Sequence, residues 1–325
     1  MGYLLTRLGL FVPMLAGVVC VVFLLVHLVP GDPARVLLGE DASPQAVAQL
    51  RHSLGLDLPL PSQFLRYLDH LLHGDLGVSM FQNVPVLDLV LGRLPATLEL
   101  AAFAILVSVC LGVTLGCVAA VFQGTALDVL CLVFAQLGVS VTVFWLGILL
   151  MLAFSVELHW LPAIGRGAPL STVLAAAVAG RPVALLDSLA HLTMPAIALG
   201  MQGAAIICRL VRSGMLEALA SDYVRTARAK GVPRFAVTVR HALRNALLPT
   251  VTMIGWQFGN LLGGAVLTEG IFGWPGLGQL AVGAFSQRDL PLMQGIVLTF
   301  ALIFGLVTLA TDLAYGLIDP RVGSR

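Results

Sequence analysis

Basic side chains are concentrated in one stretch of this chain, and their pattern is typical of a docking element. Seven of the eighteen lysine and arginine residues lie between Arg212 and Arg244, with very apolar segments on both sides. Residues 222–231 read Asp-Tyr-Val-Arg-Thr-Ala-Arg-Ala-Lys-Gly. Each arginine would cost about 2.5–3.5 kcal/mol at the centre of a bilayer. The stretch must therefore emerge into water, where it can meet a soluble partner.

The same residues carry the start and stop signals of a short helix. Ser221 or Asp222 can cap its N-terminus, where a carboxylate also favours the helix dipole. Residues 223–230 are mostly good helix formers, and Gly231 with Pro233 ends the run. The alternative is a charged loop that orients the chain in the membrane and does nothing more. The length of the stretch and its capping pattern favour the docking role.

Catalytic and metal-binding patterns are missing from the sequence. Lys230 is the only lysine and is followed by glycine, so the chain has no Walker-type phosphate loop, which needs Gly-Lys-Ser/Thr. The seven histidines form no HExxH or paired His-carboxylate spacing, and the five cysteines lie in apolar segments without a CxxC pair. We expect no catalytic residue, cofactor or metal in this chain, and no nucleic-acid partner.

Composition and apolar runs predict an all-α protein that crosses a membrane six times. The chain is 58% hydrophobic and 11% charged, whereas an ordinary soluble domain has about 25% charged residues. Runs near or above the ~18-residue length of a spanning helix recur along the chain. They lie near residues 8–29, 96–121, 129–155, 194–211, 247–268 and 292–317.

The distribution of basic residues predicts the orientation of these spans. Lysine and arginine are enriched on the cytoplasmic side of membrane proteins. Both termini and the basic stretch are therefore predicted to lie inside. The first run is longer than the ~7–15 residues of a signal-peptide core and lacks a small-residue cleavage pattern, so it is interpreted as a retained span.

The segment 30–95 is too polar to span and is predicted to lie outside, with short helices. Ser43 caps one helix and Pro44 takes its first position. A second helix runs from about residue 62 to 73. Its apolar face comprises Phe64, Leu65, Leu68, Leu71 and Leu72. These helices either cover the membrane bundle or contact an external partner.

Two further connections separate the later spans. Residues 156–193 are predicted to form an outer loop with a short surface helix near 173–179. The glycine-rich segment 269–291 predicts tight, irregular backbone, which survives at membrane depth only when it is packed in protein or lines an aqueous cavity. One integral membrane domain accounts for residues 1–325.

The chain resembles the permease subunits of bacterial ABC importers of the dipeptide, oligopeptide, glutathione and nickel branch. The motifs that carry the resemblance occur in order over nearly the full length. They are Leu-Val-Pro-Gly-Asp-Pro (28–33), Leu-Gly-Leu-Asp (54–57), Gly-Asp-Leu-Gly (74–77), Leu-Pro-Ala-Thr-Leu-Glu-Leu (94–100), the 222–231 stretch, His-Ala-Leu-Arg-Asn-Ala-Leu-Leu-Pro (241–249), Glu-Gly-Ile-Phe-Gly-Trp-Pro-Gly-Leu-Gly (269–278) and Asp-Pro-Arg (319–321).

The resemblance implies that residues 212–246 form a cytoplasmic coupling loop, whose helix sits in a groove of an ATPase subunit. The family motif is Glu-Ala-Ala, three residues, glycine, then Ile-x-Leu-Pro. Arg225, Thr226 and Ala227 occupy its first three places and Gly231 its glycine, so the glutamate is absent; the second half, at 246–249, follows at a longer spacing. The candidate coupling residues are Asp222, Tyr223, Arg225, Thr226, Ala227, Arg228, Lys230 and Gly231.

The resemblance further implies a type I ABC importer fold and a role as one half of a translocation pathway in the bacterial inner membrane. The implied partners are a second, related permease, two cytoplasmic ATPase subunits that bind ATP and magnesium, and a soluble solute-binding protein. A short peptide or a glutathione-like molecule is the expected solute, with nickel complexes or opines as alternatives. An ion-coupled secondary transporter would show inverted repeats and mid-membrane carboxylates, and we find neither pattern.

A glycine ridge and five ionisable residues complete the candidate sites. Gly255, Gly259 and Gly263 are spaced four residues apart in the fifth apolar run, where they allow another helix to approach closely. This ridge is either a static packing surface or a gating seam that lines the pathway between paired permeases. Charged residues close to the ends of spans are expected at the membrane–water interface. These are Glu99, Asp128, Glu157, Glu269 and Asp312.

Overall fold

The protein is α-helical in the part of the chain that the structure describes. The computed structural model describes residues 2–28, 42–53, 55, 57–170, 172–173 and 183–318, and the sole β-pairing among them is an isolated bridge between Val78 and Pro85. The described helices are α1 (Gly2–Leu28), α2 (Pro44–Ser53), α3 (Leu60–Leu72), α4 (Val86–Val121), α5 (Ala126–Ser140), α6 (Val143–Leu150), α7 (Val183–Ala220), α8 (Asp222–Ala229), α9 (Arg234–Ala236), α10 (Arg244–Phe272), α11 (Leu277–Gln287) and α12 (Leu290–Ile318). π-Helical turns follow α6 at Met151–Glu157 and α9 at Val237–Leu243.

Helices lie at all six positions where the sequence predicts a span. Three described helical stretches are long and apolar enough to cross a membrane by themselves: Val86–Val121, Leu185–Ala220 and Leu290–Thr311. The bent pair formed by α5 and the α6 region makes a fourth if it is one span, and α1 contains a shorter apolar helix at Phe11–Leu24. Three to four spans are therefore supported by length and composition.

The third predicted run, 129–155, is broken where the sequence predicts a continuous helix. α5 ends at Ser140, and the next helix begins at Val143 after a bend of 108°. Val141 and Thr142 adopt extended backbone angles at the break. Both side chains are β-branched, which disfavours helix and favours extended backbone. The periodicity of an apolar run does not reveal such a break.

Several predicted features fall outside the described residues. They are most of the 28–33 motif, Leu54 and Leu56 of the 54–57 motif, most of the surface helix near 173–179, the 319–321 motif and the Asp312 side chain.

The Cα positions group into two compact units, the first made of Met1–Pro95 with Gln279–Gly305. In this unit Val19 and Val22 of α1 pack with Leu298 of α12. Two short helices lie within the segment 30–95, as the sequence predicts, and the Ala46 N–H donates to the Ser43 hydroxyl as a cap. The apolar face of α3 differs from the prediction. Phe64, Tyr67 and Leu71 pack inward, whereas Leu65 and Leu72 are exposed.

Hydrogen bonds of two aspartates fix the loops of the first unit. The buried Asp289 carboxylate accepts the Ser79 hydroxyl and the Leu292 N–H. Asp75 accepts the Gly77 N–H at 2.8 Å and lies 2.9 Å from the His70 ring nitrogen. The Gly77 N–H, followed by the His70 ring, holds the pKa of Asp75 below its usual range.

The second unit, Ala96–Gly278 with Leu306–Arg325, contains α7 at the centre of its packing. α4 and α7 meet through small residues. A Cβ atom on Gly112 would lie 2.7 Å from the Ala204 carbonyl oxygen, and one on Gly116 would lie 2.6 Å from the Cys208 carbonyl oxygen. Glycine four residues apart on one helix face permits this backbone approach, as in many membrane helix pairs.

The glycine-rich segment 269–291 is mostly helical, which corrects the prediction of irregular backbone. α10 runs to Phe272 and ends at Gly273, whose φ of 57° is left-handed. The irregular backbone is confined to residues 273–276, which α11 follows directly, and to residues 288–289 between α11 and α12. Trp274 is buried there, and its indole N–H donates to the Ala96 carbonyl at 2.9 Å. The tight backbone is packed in protein, as the sequence predicts for that part.

Candidate functional site

The predicted docking helix exists as α8, and one apolar residue anchors it. Val224 is completely buried, and α8 contacts α7 and the π-helical turn Val237–Leu243. Ser221 stands at the N-cap position in extended backbone, but its hydroxyl donates to the Ala218 carbonyl and does not cap the helix. A single inward side chain in an eight-residue helix leaves the rest of α8 free to contact a partner.

The C-terminus of α8 is a Schellman motif built on Gly231. The Val232 N–H donates to the Ala227 carbonyl and the Gly231 N–H to the Arg228 carbonyl. Gly231 has a φ of 79°, which glycine adopts without strain. Among the residues that the structure describes, no heavy atom lies within 4 Å of the position that a Cβ atom would take. Glycine is therefore required by the backbone angle and not by lack of space.

Tyr223 ties α8 to the start of α10. Its hydroxyl accepts a hydrogen bond from the Asn245 amide at 2.8 Å and lies 3.4 Å from the His241 carbonyl, to which it donates. The tyrosine ring remains 43% exposed. The sequence predicts Tyr223 only as a partner contact. Its hydroxyl also holds two parts of this chain together.

The outward side of α8 is polar and mostly basic. Arg225 forms an exposed ion pair with Asp222 at 3.4 Å, a type that contributes little to stability. Arg228 and Lys230 form no ion pair with a described residue. Thr226 is exposed and Ala227 half-buried. The eight candidate coupling residues thus lie on one short helix and its C-terminal turn.

One exposed aromatic residue lies beside the basic surface of α8, and the sequence patterns do not predict it. This residue is Phe235 in α9, which is 79% exposed and follows Pro233 and Arg234 in a polar stretch. Arg228 and Arg234 line a cavity of about 270 Å³ between α8 and the apolar side chains of Val121 and Leu219. The signal in the sequence that could identify Phe235 is a single aromatic residue within a basic loop.

The glycine ridge of α10 has two different ends. A Cβ atom on Gly255 would overlap the Thr311 side chain of α12, so Gly255 serves packing within this chain. Gly263 is exposed, and no described residue has a heavy atom within 4 Å of its Cβ position. Gly259, between them, is half-buried. The ridge is therefore occupied at one end and open at the other.

Comparison with known proteins decides the family. Residues 112–324 match the family described as the binding-protein-dependent transport system inner membrane component, and residues 1–101 match its N-terminal companion family. The chain belongs to this family.

Relatives of this inner membrane component match along its whole length. The dipeptide transport system permease protein DppB of Alkalihalophilus pseudofirmus is 43% identical over 99% of each chain. The DppB protein of Escherichia coli K12 is 43% identical over 98% of each chain. The glutathione transport system permease protein GsiC of Salmonella paratyphi A is 42% identical over 99% of each chain.

Solved structures support the fold of this inner membrane component. One inward-facing crystal form of the MetNI methionine ABC transporter matches with a TM-score of 0.56 and 17% identity, covering 71% of this chain and 96% of that chain. A second crystal form matches with a TM-score of 0.53 at the same identity. At 17% identity the likeness concerns the fold alone.

Three of the carboxylates that lie near the ends of apolar runs have partners in this inner membrane component; Asp128 and Glu269 are buried, and Glu99 is half-buried. Asp128 accepts two hydrogen bonds from the Arg212 guanidinium, at 2.7 and 2.8 Å. Glu99 pairs with Arg166, whose guanidinium carbon lies 5.7 Å from the centre of the Trp274 ring. Glu269 is completely buried. Glu157 is exposed.

Glu269 is the centre of a hydrogen-bonded corner. Its carboxylate accepts the Thr97 hydroxyl at 2.7 Å and the Gly278 N–H at 2.7 Å, and the Thr97 oxygen accepts the Leu277 N–H at 2.8 Å. The carboxylate therefore joins α4, α10 and the start of α11. Among the described residues no group of three or more His, Cys, Asp or Glu side chains could hold a metal ion.

Proposed function

We propose that this chain is a permease subunit of an ATP-driven, binding-protein-dependent importer and forms half of the translocation pathway for short peptides. The observation that carries the proposal is its identity of 41–43% to dipeptide and glutathione permeases over nearly the whole chain. The solute is a dipeptide, an oligopeptide or a glutathione-like molecule. ATP and magnesium bind to partner ATPase subunits, and this chain carries no catalytic residue or cofactor of its own.

The proposed membrane arrangement is one permease domain over residues 1–325, with six spans of the type I importer fold and both termini in the cytoplasm. The segment 30–95 lies on the outer side. Two ion pairs support this topology, because each joins residues that it places on the same side of the membrane. Arg212 near the end of α7 pairs with Asp128 near the start of α5, whereas Glu99 near the start of the second span pairs with Arg166 after the third.

α8 is proposed to be the coupling helix, which docks on an ATPase subunit through the eight candidate residues. Its exposed basic surface suits an acidic groove, and Val224 with the Tyr223 hydroxyl fixes it to the membrane helices. ATP binding would draw two ATPases together and displace α8. Packed helices move as units, so the displacement would reach α7 and α10 and open the paired permeases outward.

The pathway is proposed to run along α10, at the seam with the second permease. Gly263 supports this assignment because it is exposed and has nothing near it, so another helix can approach closely there. Gly255 is already covered by Thr311. Among the three ridge glycines, the open end of the seam is therefore at Gly263.

Purification tests the proposed function. The affinity-tagged chain, extracted in mild detergent, is expected to bring down a second permease and an ATPase with a Walker motif. In proteoliposomes with the binding protein, this complex should import radiolabelled dialanine when ATP is supplied, and an ionophore should not stop it. A chain that purifies alone and transports with an ion gradient would refute the importer.

Removal of the Tyr223 hydroxyl is expected to weaken coupling. Tyr223→Phe keeps the ring but loses both hydrogen bonds, each worth about 0.5–1.5 kcal/mol. We expect the ATPase to remain bound and the number of dialanine molecules imported per ATP hydrolysed to fall. Tyr67→Phe is the matched control, because the buried Tyr67 hydroxyl has no hydrogen-bond partner in the part of the chain that the structure describes. An unchanged ratio in Tyr223→Phe would show that the tether transmits nothing.

A further inference from the structure

A cavity of about 330 Å³ lies between α6, α7 and α10 and has an unusual lining for a membrane protein. Among the described residues that line it, the polar side chains are three amides, Gln202, Gln257 and Asn260, and none is charged. Trp256, which is 54% exposed, forms part of its apolar wall. Ligand pockets in proteins commonly measure about 300–1,000 Å³, so this volume suits a small molecule.

The Gln257 amide is held in place by two features of neighbouring helices. Gly203 leaves room for it, because a Cβ atom at that position would overlap the amide. The Gln257 amide N–H donates to the Ser108 hydroxyl at 3.2 Å, and that hydroxyl lies within hydrogen-bond distance of the Ala104 and Gly200 carbonyls. The floor of the cavity is therefore a preorganised polar group.

Gln202 and Asn260 differ from Gln257, because both are exposed and neither hydrogen-bonds to a described residue. Asn260 is 16 residues from the start of α10 and 12 from its end, or about 24 and 18 Å along the helix axis. Gln202 is likewise near the middle of α7. Unpaired amides at this depth are costly in lipid, so this face must meet water or a polar molecule.

We propose that this cavity is a contact site for the peptide group of the solute during passage. The proposal rests on the proposed function. Each side-chain amide offers both a donor and an acceptor, which complements the N–H and C=O groups of a peptide bond. Trp256 offers an apolar surface to a solute side chain. The neutral lining makes binding weak enough for release, which a pathway requires.

The test uses the complete importer in proteoliposomes, with radiolabelled dialanine as the probe. Asn260→Leu and Gln202→Leu each remove one hydrogen-bonding group and are expected to lower uptake about three- to tenfold. ATP hydrolysis stimulated by the binding protein should persist. Asn260→Gln, which keeps the amide, should recover most of the uptake. Gln136→Leu is the control, because Gln136 is an exposed amide of α5 that does not line this cavity.

The possible results distinguish a solute contact site from other roles of these amides. Normal uptake in Asn260→Leu and Gln202→Leu would overturn the proposal. Loss of the second permease from these variants, with normal uptake per remaining complex, would overturn it as well, because the amides would then be interface residues. Asn260→Ser provides a smaller change if the leucine variant fails to accumulate. Failure of the unaltered complex to import dialanine, an oligopeptide or glutathione with ATP would instead refute the proposed function.

Discussion

Uptake of dialanine is expected to fall to near background when Gly231 is replaced by valine, while the protein stays in the membrane. Gly231 has a φ of 79°, and L-residues in this left-handed region cost about 1–2 kcal/mol. No heavy atom of a described residue lies within 4 Å of the position that the new Cβ atom would take. The cost therefore acts on the backbone, and the Schellman motif that ends α8 must rearrange. A free-energy cost of about 1–2 kcal/mol lowers the population of the docked geometry about 5–30-fold.

Matched variants separate this effect from general destabilisation. Gly74 also ends a short helix, has a φ of 77° and has no heavy atom of a described residue within 4 Å of its Cβ position, but it lies in the segment proposed to be outside. Gly74→Val should therefore carry the same backbone strain and retain most of the uptake. Gly231→Asn should recover part of the uptake, because asparagine tolerates left-handed backbone.

The measurements are uptake, the amount of protein in the membrane and the amount of ATPase that co-purifies. In Gly231→Val the membrane level should be normal, and the ATPase should be reduced or lost. Normal uptake in this variant would remove the assignment of α8 as the coupling helix. Equal losses in Gly231→Val and Gly74→Val would show that strain anywhere in the chain is sufficient.

Local signals in the sequence predict the elements that are determined by neighbouring residues. α8 begins at Asp222 and ends before Gly231, as the capping residues indicate. The same holds for α2, where Ser43 and Pro44 mark the start. In each case the deciding interactions join residues within about one helical turn. Such elements can be found without knowing what they pack against.

Features that depend on distant partners could not be predicted in this way. Asp128 and Arg212 are 84 residues apart in sequence, and Glu269 and Thr97 are 172 apart. The sequence around a carboxylate near the end of an apolar run does not show which distant residue is its partner. The amide cavity has the same origin, because Gln202, Gln257 and Asn260 come together only when α7 and α10 pack.

A lower melting temperature of the purified protein is expected when Glu269 is replaced by alanine. This change leaves the Gly278 N–H and the Thr97 hydroxyl without their acceptor in a fully buried site. Hydrogen bonds to a buried charged group contribute about 1.5–3 kcal/mol each, so the free energy of unfolding should fall by about 3 kcal/mol or more. Thermal unfolding in detergent, followed by tryptophan fluorescence, measures the loss, with Trp274 in the same corner.

Glu217→Ala is the matched control, because Glu217 is an exposed glutamate of α7 with no ion pair to a described residue. Surface substitutions of that kind change the free energy of unfolding by no more than about 0.5 kcal/mol.

Gly276→Ala tests the same corner from the other side, since its new methyl group would overlap the Glu269 carboxylate. Glu269→Gln keeps the shape and one acceptor oxygen, so its melting temperature should lie between those of Glu269→Ala and the unaltered protein. If Glu269→Ala melts like Glu217→Ala, the carboxylate does not hold α4, α10 and α11 together, and the Thr97 and Gly278 contacts contribute nothing measurable to stability.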